Sequence, residues 1–231
     1  MAARKRGFGN TVERSRCVLF DLDGTLYDSQ SYSRKLDDEI TKYVAETLSR
    51  DYEHAKLLLQ QRRKNLGTLT RSLESLGIDR YRFFAVMADR IHPSEYLSAD
   101  PKVPMALAKL RLYGFKIGLV SNSGRPLVEK ILEALQLSPS DFDVTVTSSE
   151  AEPKPSPEPF LAALKLLNCR LELAIYVGDR DEAELRPAKT LGIRTILLDP
   201  SGKSPARWAD VVVGDISEIP TTAKSMFATR N

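Results

Sequence analysis

Between residues 99 and 215, short apolar runs and amphipathic stretches take turns, and that rhythm leaves few folds open. Val103 to Leu112 has the spacing of a helix stopped by Gly114, and Lys116-Ile117-Gly118-Leu119-Val120 reads as a buried strand. Pro126 stands near the start of a helix reaching Leu135, a position where its missing N–H costs nothing. Val144-Thr145-Val146, Leu173 to Val177, Arg194 to Leu198 and Val211 to Val213 continue the strand series. Helices over about 156–167 and 182–191 fall between them, the second with Gly192 as its C-cap. Strands separated by whole helices need crossover connections, so the expected fold is α/β: a Rossmann-like, doubly wound parallel sheet.

One strand stands apart from this series. Cys17-Val18-Leu19-Phe20 is a short apolar run that passes directly into Asp21-Leu22-Asp23-Gly24-Thr25-Leu26. Two carboxylates two residues apart thus leave a buried strand, and Gly24 follows where the backbone must turn. Charged side chains are seldom buried without partners. Such a pair suits a hard cation such as Mg²⁺ or supplies a nucleophile for phosphoryl transfer; as turn formers, Asp and Gly also have an ordinary structural use. From Tyr27 to about Ser98 strand character disappears: Leu36, Ile40, Tyr43, Val44 and Leu48 fall at helical spacing, as do Leu66, Leu69 and Leu73 and then Phe83, Phe84, Met87 and Ile91. The expected organisation is a basic tail over residues 1–15, an α/β core over 16–27 and 99–231, and an inserted α-helical cap over 28–98.

The strands of the core end in polar clusters. The first delivers Asp21 and Asp23, the second Ser121-Asn122-Ser123-Gly124, the third Glu150-Ala151-Glu152-Pro153-Lys154-Pro155, and the fourth Gly178-Asp179-Arg180-Asp181. Each alone has a plain structural use, as an N-cap, a solvated lysine or a turn. Ligands of open parallel sheets, however, sit beyond the carboxyl ends of the strands, so four clusters distant in sequence would meet at one place.

Charge narrows the partners. The net charge of +3 is concentrated at the start, where Arg4, Lys5, Arg6, Arg14 and Arg16 stand against Glu13, and the body is close to neutral. A solvated tail is the ordinary meaning of such a run, and the body has no electrostatic footprint for nucleic acid. No apolar run approaches membrane-spanning length and the start lacks the apolar segment of a secretory signal, so a cytoplasmic protein with no membrane partner is expected. Cys17 and Cys169 have no metal-type spacing and read as two buried free thiols. The sequence leaves the oligomeric state open.

The DxDGT string, the hydroxyl after the second core strand, the lysine and the Gly-Asp acidic motif, in this order, resemble the haloacid dehalogenase-like hydrolase superfamily. The insertion falls where that family places its first type of helical cap. The resemblance implies a Mg²⁺-dependent phosphatase acting on a small phosphorylated metabolite. Asp21 would attack phosphorus and form an aspartyl-phosphate, and Asp23 would protonate the leaving oxygen and then activate water. Mg²⁺ would be held by the carboxylates of Asp21 and Asp179 and the main-chain carbonyl of Asp23. Ser121 and Lys154 would hold phosphate oxygens, with Gly24 and Asn122 contributing to substrate binding. Dehalogenating members lack an acid where Asp23 stands, which favours phosphate-ester hydrolysis. Where the family carries a second Asp in its fourth motif, this chain has Ala183 and Glu184; Glu184 could reach the metal shell through a water, with Asp181 and Glu182 as substitutes. Asn65 to Leu73 is similar to the cap of pyrimidine 5′-nucleotidase-like members, with Leu66 in place of an aromatic. A nucleoside 5′-monophosphate is therefore one candidate substrate, and phosphoglycolate or a sugar phosphate the alternative. A rival of another class is a catalytically silent module that binds a phosphorylated ligand.

Overall fold

A computed structural model describes residues 15–228 of the 231-residue chain, so the expected tail over 1–15 lies almost wholly outside the described residues. The alternation in sequence becomes a six-stranded, wholly parallel sheet in the order β3-β2-β1-β4-β5-β6. Its strands are β1 (Arg16–Phe20), β2 (Phe115–Val120), β3 (Val144–Val146), β4 (Ala174–Gly178), β5 (Arg194–Leu198) and β6 (Val211–Val213). The order reverses between β1 and β4, and such a switch point opens a crevice at the carboxyl ends of the strands.

Period-two alternation divides the core into two faces. Val18 and Phe20 of β1 join one apolar cluster, while Cys17 and Leu19 join the other. On the first face pack α5 (Lys102–Leu112), α6 (Arg125–Ala134) and α9 (Ile219–Met226) through Leu107, Leu110, Leu127, Ile131 and Ile219. On the second lie α7 (Glu158–Leu167) and α8 (Arg186–Thr190) through Phe160, Leu164 and Ala188. Cys17 is buried as expected. Cys169 is only half-buried; both thiols are free and their sulfurs lie 2.7 Å apart.

Between β1 and β2 stand α1 (Gln30–Leu48), α2 (Tyr52–Leu66), α3 (Leu69–Glu74) and α4 (Arg80–Arg90). Each begins with a side-chain cap: Ser29, Asp51, Thr68 and Asp79 accept the N–H of Tyr32, His54, Arg71 and Arg82 respectively. Their apolar stripes do not form a separate core. Ile40, Val44, Leu59, Phe83 and Met87 belong to the same cluster as the first face of the sheet. They come close at Gly124, the N-cap of α6, where an added Cβ would lie 2.4 Å from Cγ of Phe84. Arg80 of α4 adds an ion pair to Glu152 of the third strand-end cluster at 3.1 Å.

One expected helix is broken. A helix over 182–191 would need an N–H from Pro187, which has none. The chain instead makes a π-type turn over Asp181–Leu185, and α8 starts with Pro187 in its first turn.

Candidate active site

The sheet itself aims the first two site residues. The ladder continues one residue past the strands, with Asp21 N–H donating to Val177 C=O at 2.9 Å and Ser121 N–H to Val146 C=O at 3.0 Å. Both side chains are thereby held at the carboxyl edge, each only 2% exposed. The chain then turns back at Gly24, whose φ is +86° and whose N–H donates to Tyr27 C=O at 2.9 Å. Glycine is required here twice over: the conformation is left-handed, and a Cβ would come within 2.3 Å of Oδ2 of Asp179.

Lys154 is the hub. Its side chain is 1% exposed, and its Nζ donates to Oδ1 of Asp21, with Oε1 of Glu184 and Val120 C=O each at 3.1 Å and the Tyr176 hydroxyl at 2.7 Å. Asn122, read from sequence as a substrate-orienting residue, spends both ends of its amide on the main chain of Lys154. Its Oδ1 accepts the Lys154 N–H at 2.7 Å and its Nδ2 donates to the Lys154 C=O at 2.9 Å. These two bonds tie Asn122 to the main chain of Lys154, and Asn122 also lines the cavity described below. The Ser121 hydroxyl accepts the Ser123 N–H at 3.1 Å.

Around the lysine, Asp21, Asp179 and Glu184 bring carboxylate oxygens within 4.8 Å of one another. Oδ2 of Asp21, Oδ1 of Asp179 and Oε2 of Glu184 are buried and lack hydrogen-bond partners. Three buried or half-buried carboxylates at this spacing, each with one oxygen that has no protein partner, match the hard-oxygen donor set of Mg²⁺. Burial, then the Glu184 charge, pushes Asp21 well above the ordinary carboxylate range, against the pull of Lys154. The same two causes push Asp179 up to about 6. Burial also opposes the charge on Glu184, but Lys154 and Arg180 override it and hold this carboxyl below its ordinary value. Arg180 Nη2 donates to Oε1 of Glu184 at 2.6 Å.

Glu184 is thus the second acid of the cluster. The other two candidates are occupied elsewhere: Asp181 accepts the N–H groups of Arg207 and Trp208 at 3.0 and 2.9 Å, and Glu182 accepts the Trp208 indole N–H at 3.0 Å. The Asp23 carboxylate is not in the cluster. One oxygen accepts the Tyr27 hydroxyl and the other faces the Ser123 hydroxyl at 3.4 Å; the metal role expected of Asp23 concerned its main-chain carbonyl, not this carboxylate.

A model of the haloacid dehalogenase-like hydrolases matches residues 18–198, which takes in Asp21, Asp23, Ser121, Lys154, Asp179 and Glu184. The chain belongs to that family. It is 35% identical over 187 residues to a phosphoglycolate phosphatase from Aquifex aeolicus, covering 79% of this chain and 84% of the relative. It is 26% identical over 230 residues to a glyceraldehyde 3-phosphate phosphatase from Methanocaldococcus jannaschii, covering 90% and 97% of the two chains. Among solved structures, a HAD phosphatase from Thermococcus onnurineus superposes with a TM-score of 0.70 at 21% identity, over 90% of this chain and 97% of that one. At that identity the superposition speaks for the fold.

In this haloacid dehalogenase-like hydrolase the cluster opens into a cavity of about 680 Å³. The core contributes Asp23, Gly24, Asn122, Ser123, Lys154, Asp179 and Arg180 to its walls, and the helices contribute Tyr32, Asp37, Arg63, Thr68, Thr70 and Phe84. A wider groove of about 1040 Å³, beside His92, Asp100 and Lys130, holds none of the strand-end acids. Sequence reasoning did not single out Tyr27, Tyr176 or Arg180 as site residues. Tyr176 alternates with its neighbours like any strand residue, and nothing local shows that its hydroxyl meets Lys154.

Proposed function

We propose that this chain is a Mg²⁺-dependent phosphatase that hydrolyses small phosphomonoesters through an aspartyl-phosphate. The observation that carries this reading is the setting of Asp21: Lys154 holds Oδ1, Oδ2 is buried without a hydrogen-bond partner, and the carboxylate stands beside Asp179 and Glu184. The lysine thereby orients the nucleophilic carboxylate for attack. Asp23, beside the cavity and steadied by Tyr27, protonates the departing ester oxygen and then takes a proton from the water that hydrolyses the acyl phosphate. Ser121 and Lys154 hold the phosphoryl oxygens, and Asn122 and Tyr176 keep Lys154 in place. Asp21, Asp179 and Glu184 would hold the Mg²⁺, with the Asp23 carbonyl; when bound, it offsets the charge that otherwise keeps a phosphate anion from an acidic nucleophile. Residues 28–98 act as the cap that closes the cavity and selects the substrate. The relatives favour phosphoglycolate or a sugar phosphate over a nucleoside 5′-monophosphate as that substrate.

The test is phosphate release from a panel containing p-nitrophenyl phosphate, phosphoglycolate, sugar phosphates and nucleoside monophosphates, with Mg²⁺ or EDTA. Mg²⁺-dependent turnover that disappears in Asp21→Asn is expected. Turnover that survives Asp21→Asn, or that ignores EDTA, would overturn the mechanism. Folded, metal-loaded protein that turns over no ester would point to the silent ligand-binding module instead.

A further inference from the structure

The basic run Arg62-Arg63-Lys64 has an ordinary meaning as a solvated helix face, and the fold separates its members. Arg63 alone of the three lines the cavity over the acidic cluster. Its Nη1 donates to Oδ1 of Asp37 at 2.9 Å, while its Nε is buried and has no partner. A guanidinium stays charged at any working pH and offers its donors in a planar fork. A second orphan belongs to the same helical wall. Tyr32 of α1 is 1% exposed, lines the cavity, and carries a hydroxyl with no hydrogen-bond partner. Burial, then the Asp23 charge, pushes this phenol upward, so it is a proton donor throughout the neutral range. Buried donors without partners are costly, and two of them on residues that line one cavity call for an acceptor that the protein itself does not supply.

The other cations on these walls are committed. Lys154 lies among Asp21, Glu184 and Tyr176; Arg180 pairs with Glu184, and Arg186 pairs with Glu182 at 3.3 Å. The phosphoryl end of a substrate is fixed against the core by the strand-end residues. Its far end must therefore meet the helices, where Arg63 and Tyr32 present donors and the Asp37 carboxylate already balances part of the charge. One half-compensated guanidinium and one neutral phenol suit a monoanion better than a second phosphate dianion. The cavity is too roomy for shape alone to choose a small ester, so selection falls to these polar groups.

We infer that Arg63 and Tyr32 form a carboxylate-recognition subsite, and that the preferred substrates are short phosphorylated hydroxy acids rather than phosphorylated sugars or alcohols. This rests on the phosphatase reading above and deepens it. The experiment compares kcat/KM for phosphoglycolate with that for 2-hydroxyethyl phosphate, which ends in a neutral hydroxymethyl group, and for ethane-1,2-diyl bisphosphate, which ends in a second phosphate. Wild type should favour the carboxylate over both.

Arg63→Gln should lower the acid-to-alcohol ratio roughly 10- to 100-fold, the worth of one hydrogen bond to a charged group. Tyr32→Phe should lower it by less. Asp37→Asn breaks the same ion pair but keeps the guanidinium, and should retain the preference. Equal losses on all esters in Arg63→Gln would show a merely structural ion pair and overturn the proposal; so would a wild type that prefers the alcohol or the bisphosphate. Failure of the underlying reading looks different: p-nitrophenyl phosphate, which has no carboxylate to recognise, would not be hydrolysed either, and both would fall together.

Discussion

Lys154→Met is the substitution that tests the charge arrangement most directly, because methionine keeps the length and apolar bulk of lysine and removes only the cation. Lys154 is 1% exposed and stands between Asp21, 3% exposed, and Glu184, fully buried. Removing one partner from such a buried constellation typically costs about 3–5 kcal/mol, since the remaining carboxylates are left uncompensated. For a chain of this length the entropy of unfolding is about 0.5 kcal/mol per degree, so the melting temperature should fall by roughly 6–10 °C. The loss must also depend on pH, with a definite sign. Asp21 is already raised by burial and by Glu184, and a carboxyl raised in the folded state contributes stability at acid pH that is lost as pH rises through its folded value. Glu184 is held low by Lys154 and Arg180, and that stabilisation is full above the ordinary glutamate value and is lost as pH falls through the lower folded one. Losing Lys154 worsens both, so the deficit should be larger at pH 8 than in acid. Thermal melts of both proteins in EDTA across this range make the measurement. Adding Glu184→Gln removes one of the two stranded anions and should restore part of the stability, while kcat/KM stays at least about 10²-fold down for want of the lysine. A variant that melts with wild type at pH 8, or a double substitution less stable than Lys154→Met alone, would refute this account.

Two shorter predictions follow from neighbouring geometry. Gly124→Ala places a Cβ 2.4 Å from Cγ and 2.5 Å from Cβ of Phe84, so α4 must retreat by about 1 Å; overpacking of this kind costs about 1–3 kcal/mol, and the displaced cavity wall should lower kcat/KM by up to about 10²-fold. A urea melt and kinetics that both match wild type would contradict that packing. Asp179 is pushed up to about 6 by burial and by Glu184, so protons should compete with Mg²⁺ below that pH, weakening the apparent affinity about tenfold per pH unit in calorimetric titrations. By the same sign, the metal-free fold should lose stability as pH climbs through about 6; an affinity flat between pH 5 and 8 would remove Asp179 from the metal's ligands.

Strand identity and the assembly of the site were legible because both rest on local pattern: apolar runs of strand length, each ending in a polar cluster. The strand order was not, since nothing within β1 says that its neighbours are β2 and β4. The π-type turn escaped because the apolar spacing of 182–191 fits a helix, and that spacing takes no account of the donor missing at Pro187, four residues past Ala183. That turn places Glu184 among the acids, where its N–H donates to Arg180 C=O at 3.0 Å and its carboxylate faces Lys154. Asn122 was legible at its strand end but its bonds to Lys154 were not, because a partner thirty-two positions away leaves no mark on local sequence. Arg63 was visible only as one of three basic residues; the helix phase that turns it alone toward the cavity depends on how α1 and α2 pack.

The charges of the site argue for its occupant more strongly than any single residue does. Asp21, Asp23, Asp179 and Glu184 face Lys154 and Arg180, so the carboxylates outnumber the cations by two. A phosphate ester would bring about two further negative charges to the same place, and with little water to screen them the repulsion would fall on the approach to the nucleophile. A divalent cation held by Asp21, Asp179 and Glu184 would cancel the excess and leave Lys154 to serve the incoming phosphoryl group as well as Asp21. Glu184, in place of the shorter Asp of the family pattern, extends this logic. The longer side chain lets a residue on the π-type turn meet Lys154 and Arg180 with one oxygen and keep the other without a hydrogen-bond partner.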